Sequence, residues 1–523
     1  MSSTSVNVEL FPLGARLRLQ QGAPLRDPLF AHGVEFPCGG RGLCKGCKVK
    51  VLSGLLPITP EDKQRLTAAE LAGGWRLACR ARAGTDLKLE LGQWESPILS
   101  DNTAFDFTPQ EGLGVAVDVG TTTVVAQLLD LRSGEVLAVA TALNAQARHG
   151  ADIMSRVEYA VAEGGQPGLQ RLIREQIGGL IQQLLSDAAG ATTDRGGHSR
   201  LRVKQVVLVG NTVMHHLFCG IEVEPLSHYP FEPLSPGLQV FAVDALHWQV
   251  PGDPQVCFLP CLGGFVGSDI LAGVLATKLD QAERLTMLID LGTNGEIVVG
   301  NHERILCAST AAGPAFEGAR ISMGMRAATG AISEVHVEGG KLHCHVLGQA
   351  APRGICGSGL VDAVAASLDL GQIRPNGRLA QGESLILARP VSLTQWDIRE
   401  LQLAKGAIAA GVRILLQQWP ATRSDLSAVH LAGAFGNYIN QDSARRIGLL
   451  DFAPDQIVAA GNTALLGAKL ALFSLQERGG AFPRLLEKIK HISLHEDPRF
   501  QEIYAEEMGF PAAARVLRTQ NLS

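Results

Sequence analysis

The stretch "FPCGGRGLCKGCKVKV", residues 36–51, places three cysteines, four glycines and four basic residues within sixteen positions. Five residues separate Cys38 from Cys44, two separate Cys44 from Cys47, and thirty-one separate Cys47 from Cys79. Glycine adopts positive φ at little steric cost, so this backbone can wrap tightly around a bound group. Structural zinc sites usually use two pairs of closely spaced cysteines, and the second pair is missing here.

Three close thiols and one distant thiol on a glycine-rich loop instead fit a [2Fe–2S] cluster, because the plant-type spacing is nearly the same. Alternating apolar residues on both sides of the loop, in 6–10 and 87–91, predict strands. Residues 1–97 therefore resemble a β-grasp ferredoxin, and the longer first gap resembles the adrenodoxin-like branch. A zinc site or four unrelated thiols is the alternative. The predicted iron ligands are Cys38, Cys44, Cys47 and Cys79.

The composition of the whole chain limits its class. A chain of 523 residues is too long for one hydrophobic core, so about two to four domains are expected. Hydrophobic residues make up 46% and charged residues 19%, which indicates a globular protein, and a net charge of -5 gives no overall argument for nucleic acid. The chain shows neither a signal-peptide pattern nor an apolar run of membrane-spanning length. We therefore expect a cytoplasmic protein, with neither nucleic acid nor membrane as a partner, whose six other cysteines are buried structural thiols.

Two later stretches share a pattern of an apolar strand ending in aspartate, a Gly-Thr turn and a returning strand. They are "LGVAVDVGTTTVVAQLLD", residues 113–130, and "LTMLIDLGTNGEIVVG", residues 285–300. Such a turn can hold phosphate oxygens with backbone N–H groups and hydroxyls, while the aspartate faces a magnesium ion. Turns of this kind also occur in ordinary hairpins, so chance hairpins are the alternative. The predicted site residues are Asp118, Gly120, Thr121, Thr122, Asp290, Gly292 and Thr293.

A third glycine-rich turn follows the apolar strand in "AVHLAGAFGNYI", residues 428–439, where two glycines would let the backbone approach a flat ligand. Two phosphate loops followed by such a turn resemble the actin, hexokinase and heat-shock ATPase superfamily, in which two ribonuclease-H-like lobes close on ATP. The resemblance implies that Asp118 and Asp290 organise Mg²⁺ and the attacking water, and that adenosine lies against the third turn. The adenosine contacts implied are Gly433, Ala434, Phe435 and Gly436.

A [2Fe–2S] ferredoxin in front of such an ATPase resembles the reductive activators of corrinoid-dependent methyltransferases. The resemblance also rests on "NAQARHGADIMSRVEYA", "GNTVMHHLFCGI" and "AAGPAFEGARISMGM". It implies ATP-dependent reduction of a corrinoid protein from Co(II) to Co(I), with the electron delivered through the [2Fe–2S] cluster. It further implies a homodimer and an upstream low-potential reductant, namely a ferredoxin, a flavodoxin or a reductase.

The expected fold is α+β and α/β multidomain. Its expected parts are the ferredoxin-like domain (1–97), a linker (98–112), a middle region that forms the first actin-like lobe (113–204) and a C-terminal actin-like ATPase region (205–523). Three histidines are candidates for cobalt ligands, although we expect them to be packed or surface side chains. They are His149, His215 and His216.

Three other functions remain open at this point. An activator of a 2-hydroxyacyl-CoA dehydratase would share the ATPase fold, but such activators carry a [4Fe–4S] cluster between subunits and no fused ferredoxin. The ferredoxin also argues against a sugar or metabolite kinase. A ferredoxin-type electron carrier with a regulatory nucleotide-binding domain is the last alternative.

Overall fold

The computed structural model describes residues 5–11, 15–30, 32, 34, 42, 47–91, 105–191, 202–292, 294–475 and 481–512. Of the predicted site residues, Cys38, Cys44 and Thr293 lie outside this part of the chain. None of the helices within it is long and apolar enough to cross a membrane.

The N-terminal domain is built on a five-stranded sheet in which the first and last strands of the domain run parallel at the centre. Val6, Val8 and Leu10 are buried and alternate with more exposed residues, as the sequence pattern predicts. In spatial order the sheet consists of β2 (Ala15–Gln20), β1 (Ser5–Phe11), β7 (Leu87–Leu91), β4 (Lys48–Ser53) and β5 (Trp75–Leu77). A ribbon of β3 (Ala23–Pro24) and β6 (Arg82–Ala83) and the helices α1 (Arg26–Phe30), α2 (Pro60–Arg65) and α3 (Ala68–Ala72) complete the domain.

Helix α2 braces the segment that leads to Cys79. It begins with a capping box, in which Thr59 Oγ1 accepts from the Asp62 N–H at 3.1 Å and Asp62 Oδ2 accepts from the Thr59 N–H at 2.8 Å. The other oxygen of the buried Asp62 side chain accepts from the Leu77 N–H at 2.8 Å. A buried carboxylate with two hydrogen bonds to the backbone, one from each side, holds this part of the chain in one geometry.

The first lobe of the C-terminal part has a six-stranded sheet whose central strands are buried on both faces. In spatial order these strands are β10 (Val136–Leu143), β9 (Thr123–Asp130), β8 (Leu113–Val119), β11 (Val203–Val209), β13 (Gln255–Phe258) and β12 (Gln239–Ala242). Strands β8, β11 and β13 run parallel, which explains their nearly continuous apolar sequences. The helices are α4 (Ile153–Ala162), α5 (Gln166–Ala191) and α6 (Thr212–Cys219).

The second lobe repeats this arrangement. Its sheet consists, in spatial order, of β23 (Ile457–Gly461), β22 (Ala428–Ala432), β14 (Thr286–Leu291), β15 (Gly295–Gly300), β16 (Ile305–Thr310) and β24 (Ile489–His491). Smaller sheets contain β17 (Ala331–Glu338), β18 (Lys341–Val346) and β19 (Gly354–Ile355), and then β20 (Ser384–Ala388) and β21 (Val391–Thr394). The remaining helices are α7 (Ser268–Ala276), α8 (Gly357–Asp369), α9 (Gln395–Gln418), α10 (Gly433–Tyr438), α11 (Gln441–Arg446), α12 (Thr463–Ser474), α13 (Ala481–Lys488) and α14 (Phe500–Glu507).

The two lobes share the same central topology and differ in one edge strand each, β12 in the first lobe and β24 in the second. An antiparallel meander, β8-β9-β10 in one lobe and β14-β15-β16 in the other, is followed by two parallel strands beside its first strand. The duplicated lobes expected from the sequence are therefore confirmed. The first-lobe sheet continues through Phe258, so the boundary predicted at 204/205 falls inside β11. No change of composition marks the true passage between the lobes, because both halves consist of the same kind of buried parallel strand.

Two helices connect the lobes. Helix α7 follows the first-lobe sheet but packs in a cluster with second-lobe strands, whereas α12 follows the second-lobe sheet and packs on first-lobe strands. The helices meet at Gly467, where a Cβ would lie 2.1 Å from the Ala272 carbonyl oxygen. This crossing brings the first residues of both helices into the space between the sheets.

Candidate functional site

Four carboxylates meet between the two lobes. Asp118 lies near the end of β8 in the first lobe, and Asp290 lies near the end of β14 in the second. Glu296 is directly opposite Asp290 on β15, and Asp269 lies in the first turn of α7. Asp118 and Asp290 both act electrostatically on Asp269, and Asp269 and Asp290 both act on Glu296. The sheets of both lobes thus present acidic groups to one space.

Burial raises the pKa values of these four carboxylates, and mutual repulsion contributes in three of them. Burial raises the pKa of Asp118 to about 6, and burial together with neighbouring carboxylates raises the pKa of Asp269 and Asp290 to about 7. The same causes raise the pKa of Glu296 well above its usual value. A nearby cation favours the ionised form of a carboxylate. Because the donors are all oxygens, the cluster fits Mg²⁺ better than a soft metal.

One amide of the second lobe contacts the cluster from the side. Asn462 Nδ2 donates to Asp118 Oδ2 at 3.0 Å, while Asn462 Oδ1 caps α12 by accepting from the Leu465 N–H at 2.8 Å. The hydrogen bond lowers the pKa of Asp118 and partly offsets the effect of burial. Asn462 therefore connects the start of α12 to the first-lobe carboxylate.

The first predicted phosphate loop, Gly120 to Thr122, is half-buried and faces the same space. Asn144 holds both of its ends, since its Nδ2 donates to the Gly120 carbonyl and its backbone N–H donates to the Thr122 carbonyl, each at 2.8 Å. Gly120 itself has no room for a side chain, because a Cβ would lie 2.5 Å from the Thr123 carbonyl oxygen. The loop is therefore rigid before any ligand arrives.

Two further side chains fix Thr121 at the centre of this loop. Asn211 Nδ2 donates to Thr121 Oγ1 at 2.9 Å, and the guanidinium of Arg156 donates to the Thr121 carbonyl. Arg156 is completely buried and also donates to the Gly150 carbonyl at 2.9 Å. A buried arginine is rare unless its guanidinium is hydrogen-bonded, so we interpret Arg156 as a residue that holds the Thr121 backbone in place.

The segment that leads into α7 is just as tight. A Cβ on Gly267 would lie 2.4 Å from the Asn211 Cα, and one on Gly210 would lie 2.7 Å from the Val119 carbonyl oxygen. The segment that carries Asp269 therefore packs directly on the segment that carries Asn211. Glycine is required at both crossing points because the backbones touch.

The third predicted turn lies against the second. Gly433 has φ +80°, and a Cβ there would lie 2.5 Å from Asp290 Oδ1 and 2.8 Å from the Leu291 carbonyl oxygen. The Phe435 ring stacks on Phe316 with centroids 4.6 Å apart. The structure thus brings Gly433 to the Asp290 loop, while Gly436 sits next to Leu431. In the second loop the Gly292 N–H donates to the Asn294 carbonyl at 3.1 Å.

Of the predicted cluster ligands, the structure describes Cys47 and Cys79. Cys47 is buried in the core of the ferredoxin-like domain and Cys79 packs against that core. The Ala78 N–H donates to the Cys47 carbonyl at 2.9 Å, so the two cysteine segments are neighbours. This arrangement of thiols fits the donor set that an iron–sulfur cluster needs.

Of the other six cysteines, Cys257, Cys261, Cys307 and Cys356 are buried as expected, whereas Cys219 and Cys344 are half-buried. Burial raises the pKa of Cys219 and Cys307 to about 12, and it raises the pKa of Cys257 and Cys261 as well. A thiol with such a pKa stays protonated and is a poor nucleophile or ligand.

The histidines considered as cobalt ligands are packed in the protein. His215 and His216 are completely buried, and burial lowers the pKa of both, that of His215 to about 3. Their ring nitrogens and the Cys261 sulfur lie within 4.8 Å of one another, yet both ring nitrogens of His216 contact backbone carbonyls at 2.9 and 3.0 Å. His149 stacks on Tyr159. The expectation of packed histidines is confirmed for all three.

Sequence reasoning missed several residues of the site: Asn144, Arg156, Asn211, Asp269, Glu296 and Asn462. Glu296 could have been found, because the three residues between Leu291 and Gly295 predict a short hairpin that pairs Asp290 with Glu296. The others are distant in sequence from the loops they serve.

Comparison with known protein families divides the chain into three matched regions. Residues 13–84 match the 2Fe-2S iron-sulfur cluster binding domain, 113–282 match the RACo middle region, and 284–520 match the C-terminal domain of RACo, the ASKHA domain. The chain therefore has a [2Fe–2S] cluster-binding domain and an ASKHA nucleotide-binding domain.

Full-length relatives agree with this division. The corrinoid activation enzyme RamQ of Eubacterium limosum is 38% identical over 446 residues, which cover 78% of this chain and 72% of RamQ. The [Co(II) methylated amine-specific corrinoid protein] reductase of Methanosarcina barkeri is 26% identical over 439 residues, 78% of each chain. A solved reductive activator for corrinoid, iron-sulfur protein superimposes over 98% of this chain and 100% of its own, with a TM-score of 0.67 and 26% identity. With both lobes, the carboxylate cluster and the cysteine-bearing domain in place, the chain belongs to the family of corrinoid activation enzymes that includes RamQ.

Proposed function

We propose that this protein reduces the cobalt of a corrinoid protein from Co(II) to Co(I) by one electron, and that ATP hydrolysis drives the transfer. The observation that carries the proposal is the presence in one chain of a cysteine-bearing ferredoxin-like domain and a carboxylate cluster between duplicated lobes. The family match of RamQ over most of both chains supports it.

The electron would enter through the N-terminal domain. Cys38, Cys44, Cys47 and Cys79 would hold a [2Fe–2S] cluster, which supplies one electron at about −400 mV when it is of the plant type. Reduction of Co(II) to Co(I) requires a still lower potential, so the transfer is uphill. Each 100 mV of deficit corresponds to about 2.3 kcal/mol for one electron. Differential binding in a nucleotide-driven domain supplies a few kcal/mol, which is enough to matter here.

The nucleotide would bind between the lobes as its magnesium complex. Asp118 and Asp290 would organise Mg²⁺ and the attacking water, and Asp269 and Glu296 would add charge to the same cluster. The rigid turn at Gly120, Thr121 and Thr122, together with Gly292 and Thr293, would cradle the phosphates.

The adenosine would lie against the third turn. Gly433 touches Asp290, so a ligand phosphate near that carboxylate would place the rest of the nucleotide along Gly433, Ala434, Phe435 and Gly436. Phe435 is held by its stacking on Phe316 and offers a fixed wall. The partners would be a corrinoid protein of a methyltransferase system and a low-potential reductant, and the working unit would be a cytoplasmic homodimer.

The test uses the full-length protein, reconstituted anaerobically, and a methyltransferase corrinoid protein in the Co(II) state from an adjacent gene. We expect the visible spectrum of Co(I) to appear with reductant and Mg-ATP, and to be lost with Asp290→Ala. Reduction at the same rate and to the same extent without ATP would favour an electron carrier with a regulatory nucleotide domain. No reduction under any condition would reject the proposed function.

A further inference from the structure

The ferredoxin-like domain contacts both lobes of the ASKHA part at separate places. The first-lobe seam consists of Arg26, Asp27 and Phe30 on one side and Ala147 and Arg148 on the other. Arg26 donates to the Arg148 carbonyl, Arg148 Nη1 lies 3.8 Å from Asp27 Oδ1, and the guanidinium of Arg148 lies 4.9 Å from the centre of the Phe30 ring. Ala147 is part of the hydrophobic core of the ferredoxin-like domain. This seam therefore combines polar contacts of two arginines with the apolar packing of Ala147.

The second-lobe seam consists of Glu90 and Leu91 in β7 and Arg353 in the loop before β19. Arg353 Nη2 lies 2.7 Å from Glu90 Oε1 and donates to the Leu91 carbonyl at 3.3 Å. The side chains of Arg353 and Glu90 are only 24% and 17% exposed, so solvent screens this ion pair less than a surface pair. The stem of Arg353 lies across Gly330, where a Cβ would come within 2.7 Å of it.

The first-lobe seam is joined to the first phosphate loop through a single turn. Asn144 holds the carbonyls of Gly120 and Thr122, and its side chain also accepts from the Gln146 N–H at 3.0 Å. That bond caps the short 3-10 helix Ala145–Arg148, which carries the seam residues. The loop and the seam are thus held by the same capped turn.

The second-lobe seam leads to the third glycine-rich turn in a similar way. Arg353 is followed by β19 and then by Gly357, where a Cβ would lie 1.9 Å from the Phe316 carbonyl oxygen. Phe316 in turn stacks on Phe435 of the third turn. Each seam is therefore coupled by direct packing to a different wall of the candidate nucleotide site.

We infer that the ferredoxin-like domain senses the angle between the two lobes, because its described residues contact each lobe through a separate seam. Domain closure on a ligand rotates two bodies about a hinge, and a third body attached to both cannot keep both contacts unchanged. Nucleotide binding would then loosen one seam and alter the position of the cysteine-bearing domain. The inference rests on the proposed function for one point only, that a nucleotide binds between the lobes.

The test is hydrogen–deuterium exchange of the full-length protein, with and without Mg²⁺ and a non-hydrolysable ATP analogue. Protection of 118–124 reports nucleotide binding, and exchange of 87–91 and 145–149 reports the two seams. We expect protection at 118–124 together with a three- to tenfold change of exchange at one seam or both, about the effect of losing one partly buried ion pair and its hydrogen bond.

Variants of the seam residues show whether the seam responds to nucleotide binding or only holds the domain in place. In Arg353→Ala the response of 87–91 to nucleotide should disappear while 118–124 is still protected, and the swap Glu90→Arg with Arg353→Glu should restore it. Arg413→Ala is the matched control, since Arg413 makes an ion pair of the same 2.7 Å length with Glu506 in the second lobe and takes no part in either seam. It should respond to nucleotide as the unmodified protein does.

Two results would overturn the inference. If 118–124 becomes protected and neither seam changes, the domain is docked rigidly, and the proposed function stands without the sensing role. If 118–124 is not protected at all, no nucleotide is held there, and the proposed function fails together with the inference. Should Arg353→Ala fold poorly, Arg148→Ala tests the first-lobe seam in the same experiment.

Discussion

The side-chain amide of Asn462 donates to the carboxylate of Asp118 at 3.0 Å, although 344 positions separate the two residues in the chain. Asn462 lies between the second-lobe strand β23 and helix α12, whereas Asp118 belongs to the first-lobe sheet. The bond stabilises the ionised form of Asp118 against the effect of burial. It therefore connects the two lobes at the group that would face magnesium.

Replacing Asn462 with serine should shift the pH dependence of ATP hydrolysis. Serine can still cap α12, but its side chain is too short to reach Asp118, so the pKa of Asp118 should rise. The acidic limb of the pH–rate profile should then move to higher pH, with a loss of about tenfold near pH 6 and less at pH 8. Steady-state ATPase rates from pH 5.5 to 8.5 measure the shift.

The control for this variant is Asn440→Ser. Asn440 caps α11 in the same way, accepting from the Asp442 and Ser443 N–H groups, and it contacts no carboxylate of the cluster. Its profile should match that of the unmodified protein. A shift of the same size in both variants would mean that the exchange of the capping residue, rather than the bond to Asp118, is responsible.

Replacing Asp290 with alanine should reduce ATP hydrolysis by about 10²-fold or more, as expected for removal of a major electrostatic contributor. The cysteine-bearing domain lies apart from this position, so the visible spectrum of the cluster should remain. Asp187→Ala, on the exposed face of α5, is the control and should keep full activity. Near-normal turnover in both Asp118→Ala and Asp290→Ala would show that the phosphate loops are misassigned.

The carboxylate cluster also predicts how stability depends on pH. The pKa of Asp290 is about 7 in the folded protein and near 3.9 in an unfolded chain, so the folded state binds more protons between these values. The contribution of Asp290 to stability is thus complete below about pH 4 and is lost as the pH rises through 7. Without divalent cations, Asp290→Asn should therefore be more stable than the unmodified protein at pH 8, by about 1–3 kcal/mol.

Urea unfolding at pH 5 and pH 8 measures this difference, with and without Mg²⁺ and ADP. At pH 5 the advantage of Asp290→Asn should shrink, because Asp290 is then protonated in the folded protein. Added Mg²⁺ and ADP should stabilise the unmodified protein more than the variant. Equal stability of the two proteins at pH 8 without cations would show that Asp290 is well solvated rather than part of a strained cluster.

The part of the site that is local in sequence could be predicted from it. Asp118 and Asp290 each end a buried strand before a glycine turn, and the signal lies within about ten residues. The structure places both between the lobes, together with Gly433 from the third turn. The same holds for Cys38, Cys44 and Cys47, whose close spacing predicts a shared bound group, with Cys79 added from thirty-one residues further on.

The part that depends on packing between distant segments could not be predicted. Nothing near Asn462 indicates that its amide reaches Asp118, and nothing near Arg353 indicates that it contacts Glu90 of another domain. Arg156 is similar, because a lone arginine in an amphipathic helix normally points to solvent, and its burial follows only from the position of Thr121. Such contacts arise when the chain folds back on itself, which a sequence pattern of short period does not encode.

The last prediction concerns the metal content of the N-terminal domain. Protein purified without oxygen should contain two irons and two sulfides per chain, the content of one [2Fe–2S] centre with four thiolate ligands. Cys47→Ser should abolish the visible absorption, because Cys47 is buried in the domain core and would supply one of the four thiolates. The fold should persist, since the Cys47 segment is tied to Ala78 through its backbone carbonyl rather than its side chain.

Cys344→Ser, which changes a half-buried thiol on the second-lobe strand β18, should leave the spectrum unchanged. Zinc in place of iron after anaerobic reconstitution, or a full spectrum in Cys47→Ser, would contradict the assignment of the ligands.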